Sequence, residues 1–159
     1  MKSSIAHASL REQLKAHGLR YSKPREAILS FFAERDRHVS AENLHFALKQ
    51  RGENISLSTV YLNLGVLRDA GLVREFSGLS GEALYDSNVR EEHDHLICHG
   101  CGAVLDIPVV TVNNVPLTQF LQQHAERASG WQVDEPEVEF KGVCPLCQQQ
   151  NKRESEQAA

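Results

Sequence analysis

Residues 56–76 read SLSTVYLNLGVLRDAGLVREF and predict one helix, its end and the start of a strand. Val60, Leu64 and Leu67 recur at the spacing of a single buried helical face. Gly71 is predicted to end the helix, because glycine is the usual residue just beyond a helix C-terminus. The helix therefore has one apolar face, and the residues between its apolar positions point elsewhere.

The sequence on both sides of this helix completes a winged helix-turn-helix pattern. Upstream, one helix is predicted to end near Gly18, a second to begin after a cap at Ser22, and a third after a cap at Ser40. Downstream, residues 72–76 and 83–85 predict two strands joined by a glycine- and serine-rich turn. A helical cluster followed by such a hairpin is typical of a winged helix-turn-helix domain.

The last helix of such a domain enters the DNA major groove, which is about 12 Å wide. Tyr61 offers a ring to a thymine methyl group and a hydroxyl to a phosphate, and Asn63 can read a base edge. Gly65 costs roughly 1 kcal/mol relative to alanine and indicates close approach to another helix or to DNA. A half-buried core role for Tyr61, and a winged helix that binds only proteins, are the alternatives. The predicted DNA contacts are Lys15, Arg20, Tyr21, Lys23, Arg25, Ser58, Thr59, Tyr61, Asn63 and Arg68.

Charge is unevenly distributed along the chain. The net charge is −4, but residues 1–80 hold 12 Lys and Arg against 8 Asp and Glu, a net of +4. Residues 81–159 hold 5 against 13, a net of −8. A basic first half suits an anionic partner and an acidic second half suits bound cations, with chance asymmetry as the plainer alternative.

All four cysteines occur in two C-x-x-C pairs, CHGC at residues 98–101 and CPLC at residues 144–147. Two such pairs, tens of residues apart, predict a closed tetrahedral zinc site. A redox dithiol and structural disulfides are the alternatives. Zinc is favoured because no cysteine is left over and no secretory segment indicates an oxidising compartment. The predicted ligands are Cys98, Cys101, Cys144 and Cys147.

A second group of candidate metal ligands lies in residues 91–98, EEHDHLIC. In a strand, His93 and His95 project from one face and Asp94 from the other. Two imidazoles placed in this way can bind one metal ion, although solvent-exposed histidines without a metal are the plainer interpretation. Asp106 lies in a predicted apolar strand, where a carboxylate needs a cation or another partner, unless it is exposed at the strand end.

The second half of the chain is predicted to be a small α/β domain. Residues 117–128 predict a helix and residues 138–143 a strand. A short sheet with one helix leaves an apolar face uncovered, which suits a homodimer. A structural metal helps so small a domain to fold. The predicted α+β organisation is a winged-helix DNA-binding domain at 1–84, a hinge at 85–92, a dimerisation and metal-sensing domain at 93–150 and a disordered tail at 151–159.

Other classes of protein are disfavoured. No stretch approaches the roughly 20 apolar residues that span a bilayer, and residues 1–8 do not resemble a signal peptide, so the cytoplasm is the expected location. No nucleophile elbow, phosphate loop or H-E-x-x-H helix is present, and an all-cysteine zinc site is closed. The chain is therefore predicted not to be an enzyme, against the alternatives of a metal hydrolase or a Fenton-type oxidase. A metal-buffering or interaction module without DNA binding is the other alternative.

Together these motifs resemble the ferric uptake regulator family of metal-responsive bacterial repressors, from about Leu10 to Cys147. The resemblance rests on GLRYSKPR at 18–25, STVY at 58–61, AGLV at 70–73, HDHLIC at 93–98 and the two cysteine pairs. It implies a homodimer in which a winged helix is joined by a hinge to an α/β dimerisation domain, often with a four-cysteine zinc. The implied partner is double-stranded DNA, expected to be an A/T-rich palindromic operator.

The resemblance also implies a regulatory metal site between the two domains. The positions that match its ligands are His38, Asp86, His93, His95 and Asp106. One ion held by all five would set the separation of two recognition helices, which must match half-sites about 34–36 Å apart. Imidazoles and carboxylates without a thiolate suit Fe²⁺ or Mn²⁺. Glu92, Asp94 and His124 match part of a third site, but Asn113 stands where a carboxylate is expected.

Assignment to a branch of the family is divided. Asp86 and Asp106 are both aspartates, as in the peroxide-sensing branch, and Asn63 resembles that branch's recognition helix. In that branch peroxide oxidises a ligand histidine and DNA is released; the corresponding residues are His38 and His93. The spacing from Asp86 to His93 is more like the iron branch, and no hinge cysteine of the zinc-sensing branch is present. The predicted function is a repressor that senses Fe²⁺ or Mn²⁺ and peroxide, with an iron- or zinc-uptake regulator as the alternatives.

Overall fold

The computed structural model describes residues 10–34, 38–89, 92–134 and 136–157. The chain divides into two compact units, Met1–Glu91 and Glu92–Ala159. Within the described ranges, every helix is too short or too polar to cross a bilayer.

The described part of the first unit contains four helices and a three-stranded sheet. The helices are α1, which includes residues 10–16, α2 (Lys23–Ala33), α3 (Ala41–Gln50) and α4 (Leu57–Asp69), and the strands are β1 (His38–Ser40), β2 (Arg74–Ser77) and β3 (Ala83–Asp86). The strand order is β1-β3-β2, with both pairs antiparallel. The helices followed by the β2–β3 hairpin form the predicted winged helix-turn-helix, which confirms that part of the fold.

Side-chain caps determine where the helices of this unit begin. The hydroxyls of Ser22, Ser40 and Ser56 each accept a hydrogen bond from the backbone N–H three residues later, at 3.2–3.4 Å. At the other end of α4, Gly71 adopts a φ of +72°, which a residue with a side chain rarely adopts. The caps predicted at Ser22 and Ser40 and the helix end predicted at Gly71 are confirmed.

Helix α4 is anchored by a buried apolar face. Val60, Leu64 and Leu67 are fully buried, in one cluster with Leu14 of α1 and Phe31 of α2. The stripe predicted from the sequence is therefore the one that packs in the core. Because this face is fixed, the opposite face of α4 is held outward as a rigid surface.

Gly65 lies on the open side of α4. A β-carbon built there meets no atom within 4 Å, and its backbone is helical, so no contact with another helix requires glycine. Replacing Gly65 with alanine is expected to raise the free energy of unfolding by about 1 kcal/mol, the usual difference between these residues inside a helix. Chemical denaturation measures this change. An equal or lower stability of Gly65→Ala would reveal a packing constraint at this position.

The described part of the second unit contains two helices and five strands. The strands are β4 (His93–Cys98), β5 (Val104–Pro108), β6 (Thr111–Val112), β7 (Val115–Pro116) and β8 (Glu139–Gly142), and the helices are α5 (Leu117–Ser129) and α6 (Pro145–Gln157). Strand β4 is central, antiparallel to β5 and parallel to β8. Strands β6 and β7 form a separate hairpin whose turn holds Asn113 and Asn114 at φ of 52° and 61°.

The second unit buries little apolar surface of its own. Among its described residues, the buried hydrophobic side chains are those of Ile97, Cys98 and Cys147, and α5 buries none. Two of the three are cysteines of the predicted zinc site. A unit with so small a core depends on further sources of stability, such as a bound metal or a second copy of the chain.

The structure differs from the sequence-based expectations in three places. Residues 151–157, predicted to be a disordered tail, continue helix α6; glutamine, lysine, arginine and glutamate favour helices even without an apolar face. Asp86, predicted to lie in the hinge, is instead the last residue of β3. Strand β1 and the β6–β7 hairpin were not predicted, because elements of two or three residues show no periodicity. The predicted domain ranges also include residues 1–9, 35–37, 90–91, 135 and 158–159, which lie outside the described residues.

Candidate metal sites and the exposed face of α4

The four cysteines converge at the end of β4 and the start of α6. One sulfur from each of Cys98, Cys101, Cys144 and Cys147 lies within 4.8 Å of the others, and none of the four is in a disulfide. The Sγ atoms of Cys101 and Cys144 are 3.7 Å apart. Four thiolates bound tetrahedrally at about 2.3 Å have sulfur–sulfur edges of about 3.8 Å. This cluster therefore fits the zinc ion that its spacing predicts.

Backbone groups around the cysteines favour a charged sulfur. The Cys144 N–H donates to Cys98 Sγ at 3.2 Å and lowers the pKa of Cys98 to about 6. Hydrogen bonding among the neighbouring thiols, led by Cys144 and Cys101, raises the pKa of Cys147 to about 12. Sulfurs this close cannot all ionise without a cation between them. The electrostatics of the cluster thus call for a positive ion.

A side chain at Gly100 of the first cysteine loop would crowd the sulfur of Cys147. A β-carbon at Gly100 would lie 3.1 Å from Cys147 Sγ, closer than ordinary van der Waals contact. Gly102 follows with a φ of +73°, so the backbone turns away from the cluster immediately after Cys101. Both glycines therefore serve the geometry of the four-sulfur site.

The second unit brings together three predicted metal ligands on one face of its sheet. The Nε2 atoms of His93 and His95 each lie 3.7 Å from Asp106 Oδ1. Residues 95 and 106 are direct cross-strand partners, and the two imidazole rings meet edge to face at 4.9 Å. Ligands bonded at about 2.0–2.2 Å lie roughly 3–3.5 Å apart, so a shift of a few tenths of an ångström would let all three share one ion.

The first unit brings together the other two. His38 of β1 and Asp86 of β3 are direct cross-strand partners, and a nitrogen of one lies within 4.8 Å of a carboxylate oxygen of the other. Asp86 is fully buried and its Oδ1 accepts the Asn88 N–H at 2.8 Å. The His38 ring packs edge to face on Phe76. Sequence reasoning missed β1, so it could not have paired these two residues by geometry.

The described residues give no support to the predicted third site, which stays a prediction. No group of three or more potential ligands among the described residues contains Glu92, Asp94 and His124. Asp94 is buried, and this burial raises the pKa of its carboxyl group. Asn113, at the position that lacks the expected carboxylate, forms the β6–β7 turn. Asparagine suits the left-handed backbone there.

The exposed face of α4 contains fewer of the predicted base readers than expected. Tyr61 is exposed, but its hydroxyl donates to Glu42 of α3. That bond lowers the pKa of Glu42 and leaves the hydroxyl no proton for a phosphate. Asn63 is buried and its Nδ2 donates to the Thr59 carbonyl at 2.8 Å. In this structure Asn63 points away from the exposed face of α4, and its role as a base reader stays a prediction.

Other predicted DNA contacts are exposed or paired within the chain. Lys15, Arg20 and Lys23 are exposed. Arg68 is bound by the carboxylates of Glu75 at 2.6 Å and Asp69 at 3.0 Å, so its charge is partly neutralised. The Tyr21 hydroxyl donates to Glu26, and the Arg11 guanidinium lies 4.2 Å from the centre of the Tyr21 ring. Arg25 donates to the Arg20 carbonyl. The hydroxyls of Ser58 and Thr59 lie 3.0 and 2.8 Å from that of Ser56.

Known proteins share both the sequence pattern and the fold. The ferric uptake regulator family model matches residues 16–140. The peroxide operon regulator of Bacillus subtilis is 33% identical over 136 residues, covering 86% of this chain and 89% of that protein. The ferric uptake regulation protein of Legionella pneumophila is 34% identical over 138 residues, covering 86% and 97%.

A solved structure agrees with this assignment. The Vibrio cholerae ferric uptake regulator superposes with a TM-score of 0.63 at 29% identity, over 84% of this chain and 98% of that one. The family match covers parts of both units, from residue 16, the last of α1, to residue 140 in β8. This chain is a metal-responsive transcriptional regulator and belongs to the ferric uptake regulator family.

Proposed function

We propose that the protein is a homodimeric repressor whose affinity for DNA depends on a divalent metal, Fe²⁺ or Mn²⁺. A structural zinc ion would stabilise its second unit. The proposed regulatory ligands are His38, Asp86, His93, His95 and Asp106. The observation that carries this proposal is that each unit already gathers its own share of the ligands on one sheet face. The four clustered cysteines would hold the zinc.

The choice of metal follows from the donor set. Three imidazoles and two carboxylates form a site of nitrogen and oxygen donors without sulfur. Such donors suit Fe²⁺ or Mn²⁺, whereas thiolates favour zinc. The four cysteines form a separate cluster, so the sulfur site would bind zinc and the nitrogen and oxygen site would bind Fe²⁺ or Mn²⁺.

The proposed mechanism places ligands on both sides of one ion. His38 and Asp86 belong to the first unit, whereas His93, His95 and Asp106 belong to the second. A bound divalent cation would supply a shared positive charge that both ligand sets neutralise. Because Asp86 ends the strand paired with β2 of the wing, its position is rigidly tied to helix α4 through the first unit's core. Holding both ligand sets together would therefore fix the orientation of α4 in each protomer.

An uncovered apolar row supports the homodimer. Leu96, Leu105 and Phe140 are aligned across β4, β5 and β8, and all three are exposed. Leu117, Phe120 and Leu121 of α5 are exposed as well. Apolar surface of this extent in a unit with so small a core favours association of two copies.

DNA binding is supported by the first unit's architecture and charge. The winged helix-turn-helix presents the exposed side of α4, and residues 1–80 carry a net charge of +4. Exposed lysine and arginine side chains of α1 and of the α1–α2 segment can contact phosphates. A palindromic duplex is the proposed ligand because a twofold dimer reads matching half-sites. Its proposed A/T-rich composition rests on the family resemblance alone.

A gel shift on a palindromic A·T-rich duplex, with and without Mn²⁺, tests the proposal. A metal-dependent shift that salt weakens is expected, because lysine and arginine contacts displace counterions from DNA. Tight Mn²⁺ binding with no DNA shift would instead identify a metal-buffering module. Turnover of a substrate would identify a metal enzyme and contradict the proposal.

Peroxide sensing is a second candidate, favoured by the two aspartates, Asp86 and Asp106, at the acidic positions. Bound Fe²⁺ would supply the redox chemistry by which peroxide oxidises an imidazole: one peroxide oxygen is added to the ring, the other leaves as water, and the ring loses the two electrons that peroxide gains. The imidazoles of His38 and His93 are the proposed targets, and an added oxygen there would weaken them as ligands. Protein purified without oxygen, loaded with Fe²⁺ and treated with mild peroxide is expected to gain one oxygen on the His38 or His93 peptide by mass spectrometry. Equal oxidation in Mn²⁺-loaded protein would contradict metal-directed chemistry.

A further inference from the structure

Leu62 is an exposed apolar residue on the face of α4 that points away from the core. Its exposed fraction is 69%, whereas Val60 and Leu64, two residues to either side, are fully buried. A leucine this exposed adds little to the core, so most of its apolar surface is accessible to a bound molecule. Its position on the helix that winged proteins place in the major groove gives the apolar side chain a specific role.

The surroundings of Leu62 keep it open to a docking duplex. Gly65, one turn further along α4, leaves open space where a side chain would otherwise stand. Tyr61 is exposed beside it and is held by its hydrogen bond to Glu42. Asn63, the neighbouring polar residue, is turned inward to the Thr59 carbonyl. The central part of this helix face therefore offers apolar rather than amide contacts.

We propose that Leu62 determines part of the operator sequence by contacting the C5-methyl group of a thymine. Thymine is the one base that presents a methyl group in the major groove, and apolar side chains recognise it by contact. A leucine cannot bind phosphate or donate to a base edge, so shape and apolar burial are its only means of reading sequence. This inference rests on the proposed DNA-binding function and adds a specificity-determining residue to it.

Thymine-to-uracil substitution removes only the methyl group and so isolates this contact. The probe is the duplex that Mn²⁺-loaded wild-type protein selects from a pool of random duplexes. Each thymine of one half-site is then replaced in turn by deoxyuridine, together with its symmetry mate. At one thymine, wild-type affinity is expected to fall about fourfold per half-site, or about fifteenfold for both, the factor for about 0.8 kcal/mol per methyl-sized group. Leu62→Ala and Leu62→Gln are expected to bind the thymine and uracil probes equally at that position.

Trp131→Ala is the matched control, because Trp131 is 77% exposed but belongs to the second unit and lies outside both candidate metal sites. This variant is expected to keep the wild-type sensitivity to uracil. If no uracil weakens wild-type binding, or if the Leu62 variants remain equally sensitive, the role of Leu62 is refuted while DNA binding stands. If the Mn²⁺-loaded protein selects no sequence, the proposed function itself fails, and the role of Leu62 fails with it.

Discussion

Replacement of Cys144 by serine is expected to remove zinc from the protein and to abolish the dimer. Serine oxygen is a poor substitute for a thiolate, and the remaining three sulfurs cannot close a tetrahedral site. Binding of structural zinc contributes about 10–16 kcal/mol in small zinc domains, as much as the whole stability of many domains. Because the described part of the second unit buries so few apolar side chains, the hydrophobic core alone contributes little to its folding stability. Metal analysis and sedimentation measure the two losses together.

His99→Ala is the control for this variant. His99 lies inside the first cysteine loop and is exposed, so it is the other residue that a zinc ion could recruit there. The substitution is expected to leave zinc content and dimerisation unchanged. A Cys144→Ser protein that keeps its zinc and its dimer would defeat the four-thiolate assignment. Loss of zinc in His99→Ala would show a mixed ligand set.

Replacement of His38 by alanine is expected to abolish the effect of metal on DNA binding while sparing zinc and the dimer. His38 lies in the first unit, paired with Asp86, whereas the four cysteines lie in the second. A bound effector of this kind typically changes the affinity for the other ligand about 5–150-fold. In His38→Ala, the DNA affinity is expected to be about the same with and without metal. Fluorescence anisotropy of a labelled duplex with and without Mn²⁺ measures the ratio.

His45→Ala is the matched control for His38. His45 is a partly buried histidine of α3 in the same unit, outside the candidate metal sites. It is expected to retain the full response to Mn²⁺. A normal response in His38→Ala would show that this histidine is not a regulatory ligand.

Periodic and chemically distinctive features were predictable from the sequence. The stripe of Val60, Leu64 and Leu67 and the helix end at Gly71 required only local rules. The convergence of the two cysteine pairs was predictable, because two C-x-x-C pairs in a chain with no other cysteine are typical of one four-cysteine metal site. The opposite faces of His93 and Leu96 also followed from the period of a strand.

Contacts between distant residues were not predictable in this way. Strand β1 is three residues long, so nothing in its composition indicated that His38 would pair with Asp86, 48 positions later. The hydrogen bond from Tyr61 to Glu42 joins α4 to α3, and no local sequence pattern in either helix predicts it. Asn63 had the residue type of a base reader, but rotation about the helix axis turned it inward and left Leu62 outside. The residue type therefore favoured Asn63, whereas Leu62 is the neighbour that is exposed in the structure.

The reciprocal linkage between metal and DNA tests the account most directly. Mn²⁺ is titrated into zinc-loaded protein with and without the selected duplex, and the duplex is titrated with and without Mn²⁺. If one ion governs the DNA-binding arrangement, the factor by which Mn²⁺ tightens DNA binding must equal the factor by which DNA tightens Mn²⁺ binding, and both should exceed about fivefold. A duplex affinity that is the same with and without Mn²⁺ would contradict the account.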